Sequence, residues 1–511
     1  MTTPEESSVP SGEPRGGVQR ATRWNAVGKG AIFGVRWVVR IWLLTLVPVA
    51  DIGIMSLAVS ISGFLTFFSD FGTGQAVVQR KDLDGGFLST VFWSNFVLGL
   101  ALSGLLWLGC EVTDWIRGAS EVTRILPILG LSFVVLSLGI VQKNLLARRM
   151  QFGHVALVNL SESVGYGVVA VWMALQGYGV WALVYGTLAG KALSVLVSWI
   201  LGGWRPRWVF RVNILREIWS FSTNLLGAQL TTYGFQQSDR VIITWLLGLE
   251  ALGYYTAAQQ LVLFPIRNLT QVLVGVLVPA LSKLQDDLVQ LRDRLLRALS
   301  GIALVITPCL IGLAAVLHPL VTGLLNDPES DVNKWGPAVL PALLMMPASF
   351  LRSVLSATGS VYVSQGRTNL MFRWSMIQGV AVVISYFVGS IWGLPGIAGA
   401  FSLVHLLLSP MLFGVPFGLV GLRAKDAVRA FQPAIVIATV MGVLAFGVQF
   451  GLGEAGFRPL GRVVAGVATG TTAYFLLLIT VRPPGSKDLL RLIGLGKLAS
   501  RGKPAASRPA G

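Results

Sequence analysis

The chain has 511 residues, of which 54% are hydrophobic and 12% charged. Soluble domains carry about a quarter charged residues, so this composition excludes an ordinary soluble enzyme and points to a polytopic membrane protein. Its 40 Lys+Arg against 23 Asp+Glu give a formal charge of +17, yet no nucleic-acid-binding motif accompanies it, and two cysteines, Cys110 and Cys309, argue against a disulfide framework.

Residues 1–25 are rich in Ser, Pro, Glu and Gly and read as a disordered tail. The first apolar run lacks a small-residue cleavage site, so it is expected to remain in the mature protein as a span and not as a signal peptide. Apolar runs of spanning length then recur to the end of the chain, fourteen in all. The first six are Ala26–Val47, Ile52–Phe68, Phe87–Gly109, Ile125–Leu146, Val155–Leu175 and Tyr178–Leu201. A basic linker, 202–218, separates them from Trp219–Leu247, Leu252–Val278, Leu295–Leu317, Gly336–Val363, Leu370–Trp392 and Leu394–Val420. Phe431–Leu452 and Gly461–Val481 complete the set as an additional pair, 421–481, followed by a basic tail, 482–511. The expected domains are therefore an N-terminal six-helix lobe (26–201), a C-terminal six-helix lobe (219–420) and that pair.

Alternate connections carry the basic residues: Arg80 and Lys81, then Lys143, Arg148 and Arg149, then the Arg205–Arg216 and Lys283–Arg297 stretches, Arg367, and Arg423 with Lys425 and Arg429. The positive-inside rule places these loops, and both termini, in the cytoplasm. Leu284, Leu288, Leu291 and Leu295 recur at helical spacing among charges, as do Leu489, Leu492, Ile493 and Leu495 in the tail. Both read either as amphipathic helices lying on an anionic leaflet or as solvated linkers.

The most informative run is Trp219–Leu247, because Gln236-Gln237-Ser238-Asp239-Arg240 sits inside it. A charge at that depth costs roughly 2.5–3.5 kcal/mol on insertion scales and faces protein or water rather than lipid. A closed Asp239–Arg240 pair would merely offset its own burial; the neighbouring amides and hydroxyl favour a water-filled cavity. Setting residue 40 over residue 240 aligns the chain with itself without a gap, so that Arg40 falls on Arg240 and Gly53 on Gly253. Six spans separate the two copies, an even number, so the halves form a parallel repeat with a site expected between them. Arg36 and Arg40 share a helix face, as do Gln236 and Arg240.

Other ionisable residues inside spans are Glu162, Lys191, Arg267 and Arg352, with His405 read as a satisfied bundle residue. Lys191 lies about ten residues, roughly 15 Å, from the nearer inner end, too deep to snorkel. Six basic groups against Glu162 and Asp239 select an anion, and the planar guanidinium fork matches phosphate oxygens. Substrate binding is therefore assigned to Arg36, Arg40, Lys191, Gln236, Gln237, Arg240, Arg267 and Arg352, with Asp239 and Glu162 as ion-coupling candidates. Tyr233, Trp42 and Tyr254 are added as sugar-facing aromatics. No metal spacing, nucleotide loop or soluble catalytic lobe is present in the sequence, and no cofactor is expected.

Several stretches together resemble bacterial polysaccharide exporters of the Wzx type. They are Ser69-Asp70-Phe71-Gly72-Thr73-Gly74-Gln75 continuing to Leu83, Arg148-Arg149-Met150-Gln151-Phe152, Gly177-Tyr178-Gly179-Val180-Trp181, Trp204-Arg205-Pro206-Arg207, Asp239–Gly248, Leu252-Gly253-Tyr254-Tyr255 and Pro279–Asp286. The resemblance covers about residues 30–420, and Pro48–Gly53 departs from the family's acidic wording there. It implies an all-α integral membrane fold of about 14 helices, two six-helix lobes in a V, and alternating access driven by an ion gradient. It also implies export of undecaprenyl-diphosphate-linked oligosaccharide through the bacterial cytoplasmic membrane, with a polysaccharide polymerase and chain-length proteins as further partners. A multidrug antiporter on the same scaffold, a membrane glycosyltransferase or polymerase, and a non-transporting member of an export complex stay open as alternatives.

Overall fold

The computed structural model describes residues 34–70, 73–80, 83–109, 120–282, 287–325 and 334–486. The expected disordered tail, the amphipathic stretch Leu489–Leu495, Leu284, and Phe71, Gly72, Lys81 and Asp82 of the family-like loop lie outside these residues. Among the described residues there is no strand. The helices are α1 (34–46), α2 (Val49–Asp70), α3 (Thr73–Gln79), α4 (Gly85–Leu108), α5 (Ser120–Ser137), α6 (Ile140–Arg148), α7 (Phe152–Leu175) and α8 (Val180–Gly202). They continue as α9 (Val212–Ser282), α10 (Leu288–Leu324), α11 (Gly336–Ser364), α12 (Thr368–Gly389), α13 (Gly393–Leu419), α14 (Ala424–Glu454) and α15 (Pro459–Val481).

Ten segments among the described residues are long and apolar enough to cross a membrane, or eleven if the α5–α6 pair, bent by 43°, is one span. Two of the ten contain a break. Gly248, at φ 90° and ψ 176°, interrupts α9 where a glycine alone tolerates the left-handed half of the map. A 3-10 turn, Ser390–Trp392, separates α12 from α13. The Gly248 break falls in the gap between two runs that the sequence separates, and the 3-10 turn occupies the end of the run that closes at Trp392. The all-α membrane class is as expected, whereas the count of fourteen exceeds what length and composition register.

The described residues form two compact units. One comprises those of Met1–Leu46, Ile61–Glu111 and Thr123–Ala228; the other comprises Val47–Ser60, Val112–Val122 and Gln229–Gly511. In the first, Val77, Phe87, Leu88, Val91, Phe92, Val141, Leu145 and Ile214 make a core against Trp93, Trp199 and Trp204. Small residues bring α7 and α8 together: a Cβ added at Gly190 would stand 2.5 Å from the Glu162 carbonyl, and one at Gly186 2.7 Å from Ala170 Cβ. Such close approach is how helices associate where lipid supplies no hydrophobic drive.

In the second unit α10, α14 and α15 pack as a group, with the Tyr474 hydroxyl donating to the Leu304 carbonyl. Leu291, Leu295 and Leu299 are fully buried on α10. Leu291 and Leu295, read from the sequence either as part of a helix on an anionic leaflet or as part of a solvated linker, belong instead to a 37-residue helix and are covered by protein.

The sequence repeat appears as a physical contact in this unit. A Cβ at Gly53 on α2 would meet the Leu249 carbonyl oxygen at 1.9 Å, and a Cβ at Gly253 on α9 would meet the Val49 carbonyl oxygen at 2.1 Å. The Thr256 hydroxyl donates to Ser56 Oγ at 2.9 Å. Under the 200-residue offset the two glycine contacts exchange with each other and the Ser56–Thr256 pair maps onto itself, the signature of a two-fold-related contact in which residue i meets j and j meets i.

Candidate functional site

A cavity of about 380 Å³ opens in the second unit, bounded by α9, α11, α12 and α13. At about 30 Å³ each it has room for about a dozen waters, and it falls in the size range of small-molecule sites. Gln236, Gln237, Asp239, Arg240, Arg267 and Arg352 line it, six of the ten site residues assigned from the sequence. Thr232, Phe235, Gln259, Ser356, Ser375, Gln378, Tyr386, Phe401 and His405 complete much of the wall. The arginines outnumber the carboxylate three to one.

Asp239 and Arg240 do not close on each other. Neighbours on a helix point about 100° apart, so each finds its own partners. Asp239 is 4% exposed; it accepts the Arg240 backbone N–H at 2.8 Å and the Gln259 amide at 2.9 Å. The hydroxyls of Tyr255 and Tyr386 stand near its carboxylate. Among the described residues no lysine or arginine side chain forms an ion pair with Asp239.

Arg240 turns to the other side. Its Nη1 donates to Ser60 Oγ at 3.0 Å and to Gln237 Oε1, while its buried Nε has no partner. Ser60 comes from α2, seven residues beyond Gly53 on the same helix face, and its carbonyl accepts the Tyr233 hydroxyl at 3.0 Å. The close glycine crossing thus sets the distance at which a serine braces the arginine.

Arg352 reaches over the Phe401 ring, with Cζ 5.7 Å from its centroid, a cation–π geometry. Phe401 stacks on Tyr386 at 6.1 Å, and His405 is 2% exposed with Nδ1 2.8 Å from the Phe401 carbonyl. His405 is thus satisfied by its own helix, as expected, while also reaching the cavity wall. Arg267 also lines the cavity.

Arg36, Arg40, Glu162 and Lys191 belong to the first unit. Arg36 Nε donates to Ser163 Oγ at 2.8 Å, Lys191 Nζ donates to Ser132 Oγ at 2.9 Å, the charge of Glu162 acts on Lys191, and that of Arg40 acts on Tyr166. These side chains bring α1, α5, α7 and α8 into one polar cluster. Tyr254, read as sugar-facing, bonds Glu250 at 3.0 Å and lines a separate, largely apolar pocket with Leu247, Pro337 and Leu340. Gln259, Tyr255 and Tyr386 were missed; the amide of Gln259, polar within an apolar run, carries the same signal that singled out Gln236.

The sequence model of the family described as "Polysaccharide biosynthesis protein" matches residues 43–332. Teichuronic acid biosynthesis protein TuaB of Bacillus subtilis is 25% identical over 437 residues, covering 84% of this chain and 88% of that protein. Succinoglycan biosynthesis transport protein ExoT of Rhizobium meliloti is 25% identical over 504 residues, covering 97% of this chain and 98% of that protein. Among solved structures, the lipid II flippase MurJ in an inward closed conformation has a TM-score of 0.71 at 16% identity, over 92% of this chain and 99% of that one, a likeness of fold. With more than half its length matched and a helical membrane architecture to go with it, the chain belongs to the polysaccharide biosynthesis protein family.

Proposed function

We propose that this protein moves a polyprenyl-diphosphate-linked oligosaccharide across the bacterial cytoplasmic membrane by alternating access, as a non-enzymatic step of polysaccharide synthesis. The observation that carries the reading is the second unit's cavity, where Arg240, Arg267 and Arg352 face a shared space with one carboxylate. A diphosphate cannot leave water for a membrane interior unless fixed positive charge and donors replace its hydration. Arg240 is suited to this because its present partners are neutral, Ser60 and Gln237, and can be exchanged for phosphate oxygens. Gln236 and Gln237 supply amides for sugar hydroxyls, and the polyprenyl tail remains in lipid.

Arg36, Arg40 and Lys191 are the first unit's contribution to substrate binding on this proposal. Asp239 and Glu162 couple transport to an ion gradient, Asp239 being the stronger candidate because it is buried without a cationic partner. Both termini lie in the cytoplasm, and a polymerase and chain-length proteins act on the exported product. The transport role is supported by what ExoT's name states, and the fold shared with a lipid II flippase agrees with it. A multidrug antiporter would need excess carboxylate for cationic drugs, the reverse of the cavity's charge.

The test is leaflet-specific detection of the lipid-linked saccharide in reconstituted vesicles. Arg240→Ala, expressed to normal membrane levels, abolishes translocation; Arg240→Lys separates charge from the bidentate fork, since charge alone survives it. Translocation at the wild-type rate by Arg240→Ala would remove the role assigned to this residue.

A further inference from the structure

The loop after α8 is a built surface, not a slack connection. Gly203, at φ +67°, ends the helix, and residues 203–211 then run without helix across the start of α4. Four side-chain contacts fasten it. Trp93 Nε1 donates to the Arg207 carbonyl at 3.0 Å; the Arg207 and Arg211 N–H groups donate to Ser89 Oγ at 3.0 Å and Thr90 Oγ1 at 3.1 Å; Arg211 pairs with Asp84 at 2.7 Å. Trp208 stacks on Trp93 with centroids 4.2 Å apart.

Apart from the Trp208–Trp93 stack, the strap's outward side chains lie open. Trp208 is 87% exposed and Phe210 53% exposed. Arg148 and Arg149 nearby cap carbonyls of Val77 and Gly202, and Arg211 holds Asp84. Arg205 and Arg207 are exposed and, among the described residues, no partner is recorded for either guanidinium.

Depth identifies the partner. Helix α4 has 24 residues, about 36 Å, so each end overhangs a hydrocarbon core of about 30 Å by about 3 Å. The strap's anchors at Ser89 and Thr90 lie about 6–8 Å into the helix, and Trp93 about 12 Å. Less the 3 Å of overhang, these anchors lie about 3–9 Å on the acyl side of the boundary, so Trp208, stacked on Trp93, and Phe210 face acyl chains just below the headgroups, and Arg205 and Arg207 reach outward to the headgroup level. Unpaired arginines beside them meet phosphodiesters at that level, and charge complementarity favours anionic headgroups over zwitterionic ones.

We infer that the Trp204–Arg211 strap is a docking surface for anionic phospholipid, with Arg205 and Arg207 binding the headgroup phosphates and Trp208 and Phe210 seated at the acyl boundary. The occupant is bulk membrane lipid, and the site is distinct from the arginine cavity. It is independent of the transport reading, because it needs only that α4 crosses a membrane.

The experiment uses full-length protein in nanodiscs, with Cys110 and Cys309 replaced by serine and an environment-sensitive fluorophore on Trp208→Cys or, separately, on Phe210→Cys. Quenching by brominated phosphatidylglycerol is compared with quenching by brominated phosphatidylcholine at equal mole fraction. The expected preference for the anionic lipid is about fivefold per arginine, and Arg205→Gln with Arg207→Gln abolishes it while the probe remains quenchable. A probe that stays aqueous at both positions, or equal quenching by the two lipids, overturns the inference. Loss of the preference on adding pyrophosphate, but not salt of matched ionic strength, also overturns it, by naming a diphosphate headgroup as the occupant.

Discussion

Replacing Gly253 by alanine tests the reciprocal crossing on which the bracing of Arg240 rests. The new Cβ would stand 2.1 Å from the Val49 carbonyl oxygen and 2.7 Å from Val49 Cγ1, about 1.3 Å short of an ordinary 3.4 Å contact. The obstacle is backbone on a second helix, so no flexible side chain can move aside. Overpacking costs about 1–3 kcal/mol, and separating the helices also strains the 2.9 Å Thr256–Ser56 bond, worth about 1 kcal/mol. Alanine's higher helix propensity returns about 1 kcal/mol, leaving a net loss of about 1–3 kcal/mol. Gly53→Ala meets the Leu249 carbonyl in the same way and carries the same expectation. Because either substitution alone parts the helices, the two together cost little more than one, a strong departure from additivity. Gly104→Ala and Gly447→Ala, where an added Cβ meets nothing within 4 Å, serve as controls. Melting of the detergent-solubilised protein by fluorescence-detected size exclusion reads all five variants. Gly253→Ala melting with the controls would refute the crossing, and with it the two-fold register drawn from the 200-residue offset.

Ser60→Ala removes the hydroxyl that takes Arg240 Nη1 at 3.0 Å and leaves a guanidinium whose Nε already lacks a partner. A penalty of about 1–3 kcal/mol follows, and translocation falls while membrane levels hold; unchanged translocation would show that Gln237 alone suffices. Asp239→Asn keeps the shape and deletes the charge, so ion-driven transport is expected to stop, whereas Glu162→Gln retains part of it; wild-type transport by Asp239→Asn would discard that carboxylate as the coupling group. Asp84 caps α4 by accepting the Phe87 N–H at 2.8 Å, and this bond, with the Arg211 charge beside it, holds its carboxyl below the usual value. A depressed folded-state value stabilises above the unfolded pKa and is lost as pH falls through the folded one. The melting advantage of wild type over Asp84→Asn, which keeps a capping oxygen and deletes the charge, should therefore be constant at neutral pH and shrink as pH falls below about 4; an advantage that does not shrink on acidification would contradict the role given to the charge.

The helical class and the inward-facing group were legible because they depend on local pattern and on transfer cost. An arginine in an apolar run must face something polar whatever the tertiary fold, and Arg240, Arg267 and Arg352 do share a cavity. The break at Gly248 was legible as the gap between two runs. Periodicity failed at Leu291 and Leu295 for a simple reason: it reports that a helix face is apolar, and the same stripe serves a lipid surface or a neighbouring helix equally well. The partners of the site were out of reach for a different reason. Ser60 is 180 residues from Arg240, Ser163 is 127 residues from Arg36, and serines of this kind occur throughout the spans with nothing to distinguish the bracing ones. Tyr254 shows the limit of arguing from residue type alone, since an aromatic in a family-like motif lies in a pocket away from the arginines.

The separate partnering of Asp239 and Arg240 bears most directly on how such a site could cycle. A carboxylate closed onto a guanidinium in low dielectric can change protonation or accept a ligand only by breaking a charge–charge contact, and removing one partner of a buried pair costs about 3–5 kcal/mol. Here the helix holds the two side chains about 100° apart, and each is solvated by neutral groups: Ser60 and Gln237 on one side, Gln259 and Tyr255 on the other. On the proposed mechanism, the arginine exchanges a hydroxyl and an amide for phosphate oxygens, a net gain in charge-assisted bonds. The carboxylate can take up a proton or a cation without stripping the arginine of its counter-charge. The two events then communicate through one rigid turn of α9, close enough for the charge of one to bias the occupancy of the other, yet without competing for the same contact. A site built this way binds and releases by exchanging partners of similar strength, which a flippase needs at every turn of its cycle.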